Sequence, residues 1–246
     1  MNKRQTPVLA VVVFLSLLHA PAGAAAPPAE DPMAAVISRQ GYTVSLELRV
    51  RKRGHTRQLL LQLFDGDAPP NAYATGFVVG EGLVMTAYHA VSGDLGLEKR
   101  RQLGFKRDEP LVVDAYVNGC EATVLRIDAD ADLALLGVCG AKGRADAPAF
   151  RDAPSQDDRL LAISRPNGVK SVSRGVFSGT YTYRGRQYWA AKMEGRDGFS
   201  GSPVYNDRAE IVGVFCGYDF KLKLALISPA LRARKLLEDY ASDARR

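Results

Sequence analysis

A serine in the segment DGFSGSPVYN, residues 197–206, is the first candidate for chemistry in this chain. Ser200 lies among glycines and a proline, which also form turns for local reasons, because glycine tolerates positive φ and proline presets a turn. A serine hydroxyl is a poor nucleophile unless a positioned base removes its proton. The segment therefore indicates either a simple turn or a nucleophile, and a base and an acid elsewhere in the chain would favour the nucleophile.

A histidine is the usual base, and the chain has three. His19 directly follows an apolar N-terminal run, and His55 lies in the basic segment RKRGHTR, residues 51–57. His89 follows an apolar strand pattern in LVMTAYHAVSG. A lone histidine after a strand is often structural, but His89 is the only one of the three in a setting that predicts order, so it is the preferred base.

An acid that orients this histidine is predicted at Asp132, where the acidic turn DADAD meets the apolar run DLALLGV. Asp132 is preferred over Asp130 because it adjoins a strand that would hold its carboxylate rigidly. Repeated aspartates are also typical of ordinary turns and of calcium loops, but the glycine and distant glutamate of a calcium loop are missing. We expect neither a metal nor a cofactor.

The elements that must position these residues are short strands. From about residue 41 onward, apolar or alternating runs are separated by turn signals, of which Asn118-Gly119 predicts a hairpin most strongly. Many short strands without intervening helices favour antiparallel barrels or a sandwich. The predicted strands are YTVSLELRV, RQLLLQLF, ATGFVV, LVMTA, LVVDAYV, CEATVLRI, DLALLGV, RLLAIS, SVSRGVFSGTYTY, RQYWAAKM, SPVY, EIVGVFC and LKLALIS.

Two segments break this pattern. Residues 140–158, rich in Ala, Pro, Gly and Asp, predict a linker between two β units. Ser228 and Pro229 predict the start of a C-terminal helix, with Ser228 as its N-cap. Leu231, Leu236 and Tyr240 would share one face of that helix.

The N-terminus predicts an exported protein. Lys3 and Arg4 precede the apolar run VLAVVVFLSLL, and small residues follow at 22–26, which together are typical of a cleaved signal peptide over residues 1–26. The run is shorter than the roughly 20 residues of a membrane anchor, so no stable membrane insertion is expected after cleavage. We expect a periplasmic or secreted protein, with residues 27–40 as a linker to the folded part.

Composition limits the class of partner. Loss of Lys3 and Arg4 lowers the formal net charge from +6 to +4, a mild basic bias that does not predict a nucleic-acid partner. About 220 residues remain, enough for one large all-β domain or two small ones.

Three cysteines in an exported protein allow at most one internal disulfide. A hairpin centred between Ala129 and Asp130 would place Cys120 directly opposite Cys139, within disulfide reach. The sequence favours this bond over two buried thiols and leaves Cys216 unpaired.

Three segments, in chain order, resemble the motif blocks of the chymotrypsin-like (trypsin-fold) serine peptidases. They are ATGFVVGEGLVMTAYHAV, DADLALLGV and DGFSGSPVYN. The order His, Asp, Ser is also that of this family, whereas other folds with the same triad use other orders. TGFVV, TAYHAV and DLALL resemble the bacterial periplasmic heat-shock-type proteases, and SGSPV resembles the bacterial glutamyl endopeptidases. The resemblance covers about residues 41–240.

This resemblance implies an all-β fold of two six-stranded antiparallel β-barrels with the active site in the cleft between them, plus a C-terminal α-helix. The peptidase domain would occupy residues 41–246. Its first barrel would span about residues 41–139 and its second about 159–228, with the linker at 140–158 and the helix at about 229–241.

The family's catalytic roles carry over residue by residue. His89 would be the general base, Asp132 would hold its tautomer, and Ser200 would attack the scissile carbonyl. The backbone N–H groups of Gly198 and Ser200 would form the oxyanion hole.

The first specificity pocket of this fold is lined by the segment before the nucleophile, KMEGRD at 192–197, and by a later strand, VFCGYD at 214–219. An acid there would favour a basic substrate side chain, and an aromatic residue would build an apolar wall. Both acids can equally face solvent, so no preferred cleavage residue is predicted. The candidate pocket residues are Glu194, Asp197, Phe215, Cys216 and Gly217.

Several residues depart from the family pattern. Phe199 stands where the family usually has Asp or Asn, so it cannot form the ion pair with a new N-terminus that activates digestive-type precursors. Tyr88 replaces a small residue beside the histidine. The two basic runs, RKRGHTR at 51–57 and EKRRQLGFKR at 98–107, are either solvated loops or docking sites for an anionic surface or substrate, and the second is a candidate for the rim of the cleft.

The sequence thus predicts an exported serine endopeptidase that hydrolyses protein or peptide substrates through an acyl-enzyme. The alternative is a catalytically silent or latent trypsin-fold protein that binds or regulates in the cell envelope, since a fold does not determine a function. The two basic runs favour this alternative, and the complete set of His, Asp and Ser opposes it.

Overall fold

The structure is a computed structural model, which describes residue 34 and residues 42–53, 69–141, 149–151 and 153–245. The predicted signal peptide, His55 and the predicted strand RQLLLQLF at 57–64 lie outside these residues, as does the 142–148 part of the predicted linker. Among the described residues, no helix has the length and apolar character needed to cross a bilayer.

Two closed antiparallel barrels, each of six strands, make up the described part of the chain. The strands of the first are β1 (Thr43–Lys52), β2 (Ala72–Gly80), β3 (Leu83–Ala87), β4 (Leu111–Val117), β5 (Cys120–Asp128) and β6 (Leu133–Val138). The strands of the second are β7 (Arg159–Ser164), β8 (Ser171–Tyr183), β9 (Arg186–Met193), β10 (Pro203–Tyr205), β11 (Ile211–Asp219) and β12 (Leu224–Pro229). Their orders around the barrels are β1-β2-β3-β6-β5-β4 and β10-β11-β12-β9-β8-β7. The prediction of an all-β fold with two six-stranded barrels is confirmed.

Alternation of apolar and polar residues explains the barrel walls. In β1, Leu46, Leu48 and Val50 are buried, and the residues between them are partly exposed. Successive side chains of a strand point to opposite faces, so this alternation directs one face into the barrel. The strands β4 and β5 are joined at Asn118 and Gly119, both with positive φ, as the hairpin signal predicts.

Each barrel has its own apolar core, and a third apolar cluster joins them. In that third cluster Phe77 and Leu133 of the first barrel pack in one group with Leu161 and Val214 of the second. Burial of this cluster holds the two barrels together and thereby fixes the cleft between them.

The described chain also has the α-helices α1 (Tyr88–Ser92), α2 (Leu97–Gln102) and α3 (Ala230–Asp243) and a short 3-10 helix at Pro166–Gly168. The C-terminal helix is confirmed, but its predicted N-cap is wrong. Pro229 occupies that position in an extended conformation without a side-chain cap, and Ser228 is buried within β12. The predicted apolar face is also partly wrong, because Leu231 is 50% exposed while Ala233 and Leu236 are buried.

The predicted disulfide between Cys120 and Cys139 is confirmed, with 5.8 Å between the Cα atoms, and Cys216 is free. The predicted register is wrong by one residue near the cysteines, where Ala122 pairs with Val138, and by two residues near the turn, where Asp128 pairs with Leu133. A β-bulge between Val124 and Arg126 accounts for the irregular ladder. The two cysteines are therefore diagonal rather than directly opposite, yet still within disulfide reach.

Candidate active site

His89 and Asp132 are brought together by two neighbouring strands. His89 follows the end of β3, Asp132 immediately precedes β6, and the two strands pair in register at Ala87 and Leu133. His89 leaves β3 and Asp132 enters β6 at the same end of this antiparallel pair, so the two residues lie side by side. The Tyr88 backbone N–H accordingly donates to the carbonyl of Asp132 over 3.0 Å.

The carboxylate of Asp132 holds the histidine through both of its oxygens. Oδ1 accepts the backbone N–H of His89 at 2.8 Å, and Oδ2 lies 2.7 Å from the ring nitrogen Nδ1. Asp132 is 4% exposed, and its φ of 56° is in the left-handed region that Asp and Asn tolerate best among non-glycine residues. The preference for Asp132 over Asp130 agrees with this geometry, since Asp130 is exposed.

Ser200 comes from the second barrel, in the turn between β9 and β10. Its Oγ lies 2.8 Å from Nε2 of His89. The three side chains named from the sequence therefore form one chain of hydrogen bonds, from the Asp132 carboxylate through the imidazole to the serine hydroxyl. General-base activation of a hydroxyl needs a base within this distance.

Thr75, a buried residue of β2, connects the two halves of the site. Its backbone N–H donates to the carbonyl of Ser200 over 2.9 Å, and its hydroxyl donates to the carbonyl of Gly198 over 2.7 Å. The same hydroxyl accepts the backbone N–H of Arg165 at 2.9 Å. Sequence reasoning missed Thr75, and its only signal is a polar residue near the start of the apolar run ATGFVV.

Two glycines let the chain turn at Ser200. Gly198 and Gly201 have φ of 86° and 88°, values that side-chain-bearing residues rarely adopt. A Cβ atom on Gly201 would overlap the Thr75 carbonyl oxygen and the Thr86 hydroxyl, so the close approach of the two barrels also requires a glycine there. Within the described part of the chain, no backbone carbonyl accepts the N–H of Gly198 or of Ser200.

Phe199 belongs to the apolar core of the second barrel. It is 2% exposed, and its ring packs edge to face on Phe215 with 6.0 Å between centroids. Ser202 fixes the backbone of the turn that contains Phe199. Its hydroxyl donates to the Phe199 carbonyl and contacts the hydroxyl of Ser164. The Phe199 side chain has no charged group that could form an ion pair with a free N-terminus.

A cavity of about 580 Å³ lies over the three side chains. Of the candidate pocket residues, it is lined by Asp197, Phe215, Cys216 and Gly217 but not by Glu194. The Glu194 side chain is 77% exposed and pairs with Arg196 at 3.1 Å. It therefore contributes no negative charge to the lining of this cavity.

Helix α2 lies at the rim of the cleft. Lys99 lines the cavity, and its Nζ forms an ion pair across to Asp197 at 2.8 Å. Asp197 is 75% exposed, so this ion pair is largely solvated. The basic run from residue 98 thus includes a residue of the cleft rim.

Cys216 lies behind the catalytic candidates, with its Sγ 3.5 Å from the carbonyl oxygen of Asp132. Burial, and secondarily the negative charge of Asp132, raise the pKa of the Cys216 thiol well above its ordinary value. The thiol therefore stays neutral at physiological pH, and a neutral thiol is a weak nucleophile.

Comparison with known proteins agrees with this architecture. The sequence model of the trypsin-like peptidase domain matches residues 74–214, which include His89, Asp132 and Ser200. A comparison with curated proteins finds no significant match.

Solved structures of bacterial proteases share the fold. The active form of the Rv3671c protease of Mycobacterium tuberculosis is 18% identical, with a TM-score of 0.58 over 86% of this chain and 86% of that one. The inactive form of a Rv3671c mutant is 16% identical, with a TM-score of 0.56 over 89% of this chain and 96% of that one. The serine endoprotease of Yersinia pestis is 18% identical, with a TM-score of 0.58 over 87% of this chain and 67% of that one.

Proposed function

Because this chain belongs to the trypsin-like serine peptidases, we propose that it is an exported endopeptidase that cleaves proteins or peptides with His89, Asp132 and Ser200. The observation that carries this proposal is the position of the His89 ring, with Nδ1 2.7 Å from Asp132 and Nε2 2.8 Å from Ser200 Oγ. These distances allow a proton to leave the serine as its oxygen attacks a carbonyl carbon.

In the proposed reaction, Nε2 of His89 takes the Ser200 proton while Oγ forms a bond to the scissile carbonyl carbon. The imidazolium then gives this proton to the leaving amine, and the acyl-enzyme remains. A water molecule, deprotonated by the same nitrogen, then attacks the acyl carbon; the bond from this carbon to Oγ breaks, and Oγ regains a proton from the imidazolium. Asp132 keeps the proton of neutral His89 on Nδ1 and stabilises the imidazolium.

The backbone N–H groups of Gly198 and Ser200 are proposed to bind the oxyanion of the tetrahedral intermediate. The lack of a backbone acceptor for either group among the described residues supports this role. The Phe199 carbonyl, which shares a peptide plane with the Ser200 N–H, accepts hydrogen bonds from the backbone N–H and the hydroxyl of Ser202, and these bonds orient that donor. Losing one such donor costs about 100- to 1000-fold in rate.

Export is proposed from the N-terminal sequence, and the disulfide supports it. Disulfides persist in oxidising compartments such as the bacterial periplasm and are rare in the cytosol. The bond between Cys120 and Cys139 is therefore expected in a periplasmic or secreted protein.

Labelling of the purified mature protein with a fluorophosphonate probe tests the proposal, with Ser200→Ala as the control. We expect the parent to be labelled and the variant to remain unlabelled, because only an activated serine reacts. A folded parent that reacts no better than the variant would contradict the proposal and favour a silent binding protein.

A further inference from the structure

A β-bulge in β11 turns an aromatic side chain toward the cleft. β11 pairs with β12 at Phe215 and Ile227 and then at Gly217 and Leu226, so Cys216 is an extra residue in the ladder. In a regular strand, residues three positions apart point to opposite faces. The extra residue reverses this, and Phe215 and Tyr218 point to the same face.

Both rings lie against Gly195, in the segment before the nucleophile. A Cβ atom on Gly195 would be 2.7 Å from Cδ2 of Tyr218 and 2.8 Å from Cζ of Phe215. Gly195 does not have positive φ, so its backbone conformation does not demand a glycine. Glycine is required because the two aromatic rings occupy the space of a side chain.

The Tyr218 ring is held from two sides. On one side it packs against the apolar core that contains Phe199 and Phe215. On the other side it meets Phe220 edge to face, with 4.9 Å between the centroids. The ring also lines the cavity over Ser200.

The charged groups nearby do not offer a site for a basic substrate side chain. Glu194 pairs with Arg196 and does not line the cavity, and Asp197 pairs with Lys99 at the rim. An acid in the pocket would be needed to compensate the buried charge of a lysine or arginine side chain.

We propose that Tyr218 closes the first specificity pocket, so that the enzyme prefers glycine or alanine as the residue on the acyl side of the scissile bond. This rests on the proposed peptidase function, and on the segments 192–197 and 214–219 as the walls of that pocket. In this chain the two walls touch through the Tyr218 ring at Gly195. A larger substrate side chain must displace this ring from its packing on the core.

The test compares two peptidyl diphenyl phosphonates that differ only in the side chain next to phosphorus, alanine or phenylalanine. Their rates of reaction with the wild type, Tyr218→Ala and Tyr218→Phe are measured after fluorophosphonate labelling has shown that each has a reactive serine. Tyr218→Val replaces Tyr218→Ala if the latter is not labelled. Tyr218→Phe is the matched control, since it keeps the ring and loses only the hydroxyl.

The wild type and Tyr218→Phe should react at least about tenfold faster with the alanine probe, because even one methylene group in a specificity pocket is worth about tenfold or more. Removing the ring should shift this ratio at least about tenfold toward the phenylalanine probe. The proposal is overturned if the ratio of the rates with the two probes is the same in the wild type and in the variant that lacks the ring. It is also overturned if neither protein reacts with either probe. A wild type that fluorophosphonate does not label contradicts the peptidase function instead.

Discussion

Asp132→Asn isolates the role of one oxygen atom in the candidate triad. Asn tolerates the positive φ of residue 132 at least as well as Asp does, so the backbone should be preserved. The backbone N–H of His89 needs an acceptor, and only the amide oxygen of Asn can take the place of Oδ1. The amide NH₂ group must then face Nδ1, in place of the oxygen that lies 2.7 Å away in the parent.

This exchange reverses the tautomer of the imidazole. An NH₂ group facing Nδ1 makes that nitrogen an acceptor and leaves the ring proton on Nε2, which faces the Ser200 hydroxyl. A protonated Nε2 cannot accept the serine proton. The wrong tautomer in a serine triad costs about 10,000-fold in kcat, or about 5 kcal/mol of activation free energy.

The assay is the rate of fluorophosphonate labelling, or kcat/KM once a peptide substrate is known. Asp130→Asn makes the same chemical change two residues away at an exposed position and should leave the rate within about twofold of the parent. The tautomer argument is refuted if Asp132→Asn stays within about tenfold of the parent, or if Asp130→Asn loses as much.

Three further predictions concern stability. Replacing Cys120 and Cys139 together by Ser should lower the free energy of unfolding by about 3 kcal/mol, because the bond closes a loop of about 20 residues. Denaturant titration measures this loss, and an unchanged midpoint would contradict it. Gly201→Ala should cost about 2–4 kcal/mol in the same titration, since both its φ and its lack of space oppose a methyl group. Gly119→Ala, with similar φ but open space, should cost only about 1–2 kcal/mol, and equal losses would rule out the steric contribution. Asp219→Asn should destabilise the protein at neutral pH but not in strong acid, as unfolding curves at pH 7 and pH 2 would show. The backbone hydrogen bonds that Asp219 accepts hold the pKa of its carboxyl below the ordinary value. Its contribution is therefore present above about pH 4 and lost as the pH falls through the lowered pKa; a difference that persists in acid would contradict this reasoning.

Local signals in the sequence predicted an all-β chain of short strands, and the resemblance of three motif blocks to a known family predicted the two-barrel fold. Alternating apolar residues predict strands, and Asn118-Gly119 predicts a hairpin, because each depends on residues close together in the chain. The motif around His89 and the order of the three blocks predict the family for the same reason. The cysteine pair could also be predicted, since a hairpin brings its two strands together within a short segment.

Register and side-chain direction depended on the tertiary structure. The bulge near Leu125 shifts the β5–β6 ladder by one residue, and the bulge at Cys216 turns Tyr218 over Gly195. Alternation of apolar and polar residues identifies a strand, but it does not show where a β-bulge inserts an extra residue into the ladder.

The geometry at Ser200 likewise depended on the packing of the two barrels. His89 and Ser200 are 111 positions apart, and Thr75 reaches Gly198 across 123 positions. No local pattern encodes such contacts, because the apolar cluster between the barrels decides how closely they approach. The sequence by itself therefore determined which residues could do chemistry, and only the packing of one barrel on the other decided the distances at which they meet and the shape of the pocket beside them.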